Sequence, residues 1–228
     1  MKDAMKLYMH PAACSLSPHI VSRELDLPVE LVAVDRATHR TAEGEDYLRI
    51  NGNGYVPALV LDDGQAITEG PAIVQYLADL RPEAGLLPPP GTRERTVVQS
   101  RLNFITSELH KPMAMLFHPA YAPARAGLLA LVGKRLDWLG TQIAGPYLAG
   151  ERFTVADAYL FVCLNWSPWI GVDLAGRPAL EAFMAHVGAR PKVQAALAAE
   201  GLVKLGADSL FHAPRAMVEP DAVVAARP

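Results

Sequence analysis

The chain has 228 residues, enough for one large domain or two small ones, with 51% hydrophobic and 20% charged side chains, the balance of a globular protein with ample core. A formal net charge of −3 excludes the broad basic surface that nucleic acid or an anionic membrane would require. Two cysteines outside any CxxC pair, Cys14 and Cys163, cannot build a disulfide framework; with no apolar leader in MKDAMKLYMH and no apolar run long enough to span a bilayer, the expected location is cytoplasmic.

In chain order, KLYMH (6–10) reads as a strand and SPHIVSRELDL (17–27) as a helix, with Ile20, Val21 and Leu25 at helical spacing and Ser17–Pro18 in its first turn. VELVAVD (29–35) is a second strand. The polar stretch from Arg36 to Gly54 holds a helical turn near Asp46–Ile50. PALVLDDGQAIT (57–68) predicts a hairpin turning at DDG, and EGPAIVQYLADL (69–80) a helix with Ile73, Tyr76, Leu77 and Leu80 on one face. This order, β-α-β followed by a hairpin and a helix, is that of a thioredoxin-like α/β module over residues 1–81.

RPEAGLLPPPG follows, and three consecutive prolines make 82–91 a linker. Residues 92–205 read as all-helical. Val98, Leu102, Ile105, Leu109, Met113 and Leu116 form one apolar stripe, and further amphipathic stretches cover 124–144, 154–170 and 178–199. In FTVAD, Thr154 suits an N-cap with Asp157 reaching back. Residues 206–228 turn proline- and alanine-rich and are expected to form a loose tail.

Cys14 lies where a strand hands over to a helix N-terminus, where converging N–H groups favour a thiolate and a lowered thiol pKa; it is equally readable as a small filler of a turn. Cys163, inside YLFVCLNW, reads as core. Asn103, Ser107 and His110, with Lys111 alongside, form a polar line on the long helix, either a solvated face or a working one. Pro112 removes the hydrogen bond to Glu108 and predicts a bend beside His110. Pro57, just before a strand, marks an edge or a tight turn and is a candidate cis bond. Glu69 and Gly70 open a helix, and a carboxylate beside a helix N-terminus suits a ligand with both an ammonium and a carboxylate. There is no P-loop, GxGxxG, HExxH or GxSxG motif, and no histidine spacing that suits a metal; none is expected.

In this order, CSLSPHI, GYVPALVLDDG, TEGPAIVQYLAD, LNFITSELHKP and RFTVADAYLF make the chain resemble a glutathione S-transferase of the bacterial beta class, over nearly all of it to about residue 205. The resemblance implies a glutathione-binding thioredoxin-like domain, an all-helical domain that shapes the second-substrate pocket, and a homodimer. It implies that Cys14 faces the glutathione sulfur and that His110, with Lys111 and Ser107, approaches it from the helical domain. Val56, before a cis Pro57, would offer its backbone to the cysteinyl part. Glu69 and Gly70 would hold the γ-glutamyl end, joined by Asn103 of a partner subunit. Arg36, His39 and Tyr55 complete the implied glutathione set. Three positions depart from the family pattern: NGNG (51–54) replaces its usual Asn-Pro, His39 stands where lysine is frequent, and Tyr55 where glutamine is frequent. Met113, Phe117, Trp166 and Trp169 are candidates for the second-substrate pocket. The expected reaction is attack of glutathione thiolate on a small hydrophobic electrophile. The alternatives are thiol-disulfide or peroxidase chemistry through a Cys14 mixed disulfide, or a non-catalytic ligand-binding protein.

Overall fold

The computed structural model describes residues 5–218, so the first four residues and, from the tail 206–228, residues 219–228 lie outside the described range. The chain divides into two compact units: residues up to Leu77 together with Pro191 onward, and Ala78–Arg190.

In the first unit, β1 (Met5–Met9) runs parallel to β2 (Val29–Asp35), with α1 (Leu16–Glu24) between them in sequence. β3 (Arg40–Thr41) adds antiparallel to β2 at one edge. β4 (Ala58–Val60) and β5 (Ala66–Thr68) form the expected hairpin on the other side, giving the order β3-β2-β1-β4-β5, and α2 (Gly70–Asp79) follows. In this register Leu7 stands opposite both Leu31 and Leu59. Strand alternation sends Tyr8 to the face opposite Leu7 and Met9. There it packs with Val34, Ala58 and Tyr47, the Tyr8 and Tyr47 ring centroids 5.4 Å apart. Tyr47 belongs to the helical turn expected near Asp46–Ile50, a 3-10 turn over Tyr47–Arg49 capped by the Asp46 side chain.

The buried stripe of α2 is Ile73, Val74, Leu77 and Ala78, which keeps Ile73 and Leu77 of the expected face and replaces Tyr76 and Leu80. Tyr76 is half-buried, and Leu80, 40% exposed, lies beyond the end of the helix.

The single amphipathic stretch expected over 178–199 is two helices, α8 and α9, because Pro191 cannot continue the first and reads better as the start of the second. The helix α9 (Pro191–Ala199) buries Val193, Ala196 and Leu197 and packs against α1, which groups it with the first unit. The tail differs from expectation where it is described. β6 (Leu202–Lys204) and β7 (His212–Pro214) form an antiparallel hairpin with Ala213 fully buried, followed by α10 (Arg215–Val218).

The second unit is helical: α3 (Arg93–Phe104), α4 (Lys111–Phe117), α5 (Arg125–Gly140), α6 (Val155–Asn165), α7 (Ser167–Ile170) and α8 (Pro178–Gly188). All six residues of the predicted stripe, from Val98 to Leu116, are buried. Every residue of α6, Cys163 included, is buried, and α3 and α8 pack against it. A helix enclosed on all sides needs its first turn satisfied from within. Asp157 does this, accepting from Thr154 N and Oγ1 at 2.7 and 2.8 Å and from Leu148 N at 2.7 Å. Together the mixed sheet module and the helical unit give the two-part architecture read from the sequence.

Candidate active site

The loop between β1 and α1 is tied down on both sides of Cys14. His10 N donates to Ser15 Oγ at 3.2 Å, and Ala13 N to His10 O at 3.0 Å. Ala12 adopts a left-handed backbone, φ 64°, and its N–H donates to Glu200 Oε2 at 3.0 Å. The other oxygen of Glu200 meets His19 Nδ1 at 2.8 Å, with both side chains out of solvent. A carboxylate from the end of α9 thus anchors the loop that carries the cysteine. Ser15 is the N-cap of α1, so the helix begins at Leu16, one residue earlier than expected.

Cys14 is half-buried, and its Sγ donates to the Val56 carbonyl at 3.2 Å. The Val56–Pro57 bond is cis. Burial pushes the thiol up to about 11. The backbone N–H groups of Cys14 and Ser15 and the Arg36 charge pull the other way and lose, while Glu69 adds to the rise. This overturns the expectation of a lowered thiol pKa. The helix N-terminus acts as expected, but desolvation outweighs it, and at neutral pH Cys14 is an S–H donor.

Glu69 is left-handed at φ 68° although it is not glycine, a conformation that carries a cost and concentrates at functional positions. Its carbonyl receives the Ala72 and Ile73 N–H groups at 3.0 Å, leaving the carboxylate exposed at the start of α2. A Cβ added to Gly70 would lie 3.9 Å from Pro57 Cγ and 4.0 Å from Ser17 Oγ. The starts of α1 and α2 and the cis proline therefore converge, bringing Cys14, Val56, Pro57, Glu69 and Gly70 together.

The remaining first-unit candidates sit further out. Arg36 is exposed. Tyr55 is 75% exposed, but its carbonyl is gripped by Tyr47 Oη and Asn51 Nδ2, both at 2.7 Å. His39, also left-handed at φ 53°, lays its imidazole over Gly54, where an added Cβ would come within 2.7 Å of Cε1. Two of the departures from the family pattern, His39 and the NGNG loop, are therefore one local arrangement: the ring occupies the space that only a glycine leaves.

In the second unit the bend beside His110 is a π-helical segment, Ile105–His110, in which Lys111 N–H reaches back to the Thr106 carbonyl. Pro112 offers no N–H to the preceding turn, and a wider turn accommodates the missing donor. Asn103, Ser107 and Lys111 remain exposed, while His110 is drawn partly inward, so the polar line predicted for the helix is broken at His110. Its Nδ1 forms a short hydrogen bond with Tyr159 Oη, and its ring sits 5.0 Å from that of Trp166, edge to face. Burial, helped by the Lys111 charge, lowers the His110 pKa to about 4. Of the second-substrate candidates, Met113 is fully buried in the apolar stripe, Trp166 is 5% exposed and Trp169 half-buried. Phe117, 46% exposed, stacks edge to face on Trp166 beside a cavity of about 120 Å³ bordered by His118, Tyr121 and Arg125.

The sequence reading missed Tyr159, Glu200, His19 and Asn51. Tyr159 lies inside RFTVADAYLF, where a tyrosine in an apolar helix gives no sign of a polar partner. Glu200 and Ala12 are 188 positions apart.

A thioredoxin-like module presenting a cysteine, a cis proline and a helix-opening glutamate, followed by a helical unit, defines the class of glutathione-handling proteins. Comparison bears this out. Residues 13–80 match the family described as "Glutathione S-transferase, N-terminal domain", and residues 104–191 match "Glutathione S-transferase, C-terminal domain". The glutathione S-transferase GstA of Escherichia coli O157:H7 is 43% identical over 203 residues, covering 87% of this chain and all of the relative. The glutathione S-transferase of a sphingomonad, solved complexed with glutathione, is 46% identical with a TM-score of 0.83, covering 87% of this chain and all of the other. The bacterial beta class enzyme of Sphingomonas chungbukensis is 44% identical with a TM-score of 0.84 over the same shares. The chain belongs to the glutathione S-transferase family.

Proposed function

We propose that the protein conjugates the thiolate of glutathione to small apolar electrophiles, and does so as a homodimer. The observation that carries this reading is the convergence of Cys14, the Val56–Pro57 bond and the Glu69–Gly70 start of α2. Each part of the tripeptide has a matching group. The γ-glutamyl ammonium meets the Glu69 carboxylate, its carboxylate the N–H groups opening α2, and Asn103 of a second copy reaches the same end. The cysteinyl part takes the Val56 backbone, and the glycyl carboxylate takes Arg36 and His39, beside Tyr55.

The sulfur needs donors that favour its thiolate. Cys14, protonated at neutral pH, has an S–H to offer once the Val56 carbonyl is released. His110 has a neutral imidazole, and Ser107 and Lys111 supply further polar groups on its helix. The electrophile is given Phe117 and Trp166 as an apolar platform, while Met113 is returned to the core. Among the described residues no helix is long and apolar enough to cross a membrane, and no cluster of His, Cys, Asp and Glu is arranged to hold a metal. The free cysteines support work in a reduced, glutathione-rich compartment, the cytoplasm, with detoxification as the role.

A thiol held near pKa 11 is a poor nucleophile at neutral pH, which argues against a Cys14 mixed disulfide as the working intermediate. Incubation with glutathione and a chromogenic aryl halide, then with a model disulfide, separates the readings. Conjugation is expected. Disulfide reduction without conjugation returns the mixed-disulfide chemistry, and retention on glutathione resin with neither reaction leaves a binding protein.

A further inference from the structure

Tyr159 is absent from the glutathione set above and sits at the centre of α6 with 2% of its surface exposed, yet its hydroxyl is aimed at His110. A neutral imidazole has one N–H and one lone pair, and the partner of one nitrogen decides which of them carries the proton. A phenol is a far stronger acid than an imidazole N–H, which favours the arrangement in which the Tyr159 hydroxyl donates and Nδ1 accepts. The proton of His110 then resides on Nε2. The ring's polar contact with Tyr159 runs through Nδ1, so Nε2 is the nitrogen that this contact leaves for a ligand.

From this geometry we propose that Tyr159 is a positioning residue that locks His110 in its Nε2–H tautomer, presenting one fixed, uncharged N–H donor. The surroundings support the lock. The ring meets Tyr159 and Trp166 edge to face, at centroid distances of 5.6 and 5.0 Å, so two aromatic neighbours flank it. His110 closes the π-helical segment, the local distortion that turns its side chain toward α6 in place of the solvent-facing line of Asn103 and Ser107. Burial also keeps the imidazole neutral, with its pKa near 4, so the donor persists through neutral pH. A donor of this kind stabilises a thiolate more than a thiol, since hydrogen bonding to the charged form favours it. The lock thus deepens the proposed function, on which its catalytic consequence rests, and assigns the work to a proton on a named atom.

The test is nitrogen-15 NMR of the full-length protein carrying labelled histidine. The chain has seven histidines, so a His110→Gln variant identifies the His110 signals. The wild type is expected to show His110 as the neutral Nε2–H form at pH 7. In Tyr159→Phe that signature is expected to move to a mixture of tautomers, with kcat falling about tenfold and the KM for glutathione unchanged, the pattern of a lost transition-state interaction. An Nδ1–H or charged imidazole in the wild type overturns the proposal whether or not Tyr159→Phe folds. A Tyr159→Phe protein that keeps the pure Nε2–H form overturns it as well. Steady-state kinetics of His110→Ala separate the two levels: unchanged conjugation there removes His110 from the proposed function, while the tautomer lock still stands or falls on the spectra.

Discussion

The Cys14 thiol donates to the carbonyl of Val56, 3.2 Å away and 42 positions later in the chain. Burial holds the sulfur in its protonated form, its pKa pushed to about 11, and Glu69 adds to the rise. Alkylation of Cys14 by iodoacetamide, followed by peptide mass spectrometry, is therefore expected to be slow at pH 7 and to accelerate by about tenfold per pH unit through pH 9, since the thiolate is the reacting species. A rate that levels off below pH 8 would mean an activated thiolate and would return the mixed-disulfide chemistry to first place.

Two desolvated histidines, one buried and one partly buried, make the fold sensitive to mild acid. His110 and His212 each have a pKa lowered to about 4 by burial, with Lys111 and Lys204 adding to the shift. In the unfolded chain both return to an ordinary value of about 6.5. Between these limits the unfolded state binds more protons than the folded one, so stability is full above about pH 6.5 and is lost as pH falls toward 4. Urea midpoints measured from pH 7 to pH 4.5 are expected to fall steeply below pH 6, and His212→Leu to flatten part of the slope. Parallel curves for the variant and the wild type would remove His212 from the account.

The fold was readable in the sequence because its elements are local and strongly patterned. β2 spans the residues of VELVAVD, the Thr154–Asp157 cap closes as read, and the Val98-to-Leu116 stripe is buried throughout. Reading failed where long-range burial decides. The helix N-terminus correctly placed Cys14, yet its sign of pKa shift was wrong because desolvation depends on what packs over the sulfur. The polar line of Asn103, Ser107 and His110 assumed an unbroken α-helix, and the π turn before Pro112 moved only the last of them inward. Stretch 178–199 looked like one amphipathic helix, although Pro191 divides it and sends α9 to α1. Tyr159 and Glu200 had no local signal at all, since each is defined by a partner far away in the chain.

Gly54 and His39 give a prediction about affinity. Gly54 sits at φ 70°, and a Cβ there would come within 2.7 Å of the His39 ring. Gly54→Ala must displace the imidazole and also bear a left-handed alanine, a combined cost of about 1–3 kcal/mol. With His39 assigned to the glycyl carboxylate, the variant is expected to raise the KM for glutathione several-fold while leaving kcat within twofold. Isothermal titration with glutathione checks the same point directly. An unchanged glutathione affinity in a folded Gly54→Ala protein would detach His39 from the ligand.

Pro112 separates the backbone's contribution to His110 from that of its neighbours. It sits in the first turn of α4, where a missing N–H costs little, and immediately after the π-helical segment that carries His110. Pro112→Ala restores a donor to the Glu108 carbonyl and lets α3 and α4 run on as one α-helix. The buried stripe keeps its residues, so thermal stability is expected to hold or rise. His110 is expected to swing toward the exposed line of Asn103 and Ser107, lose the Tyr159 hydroxyl, and regain a pKa nearer the ordinary histidine value because desolvation is relieved. Conjugation should then fall by about tenfold, with an activity profile that acquires a histidine titration near pH 6 absent from the wild type. Wild-type rates with a higher melting temperature would mean that the π turn is only the geometric residue of a proline, and that Tyr159 alone places the ring.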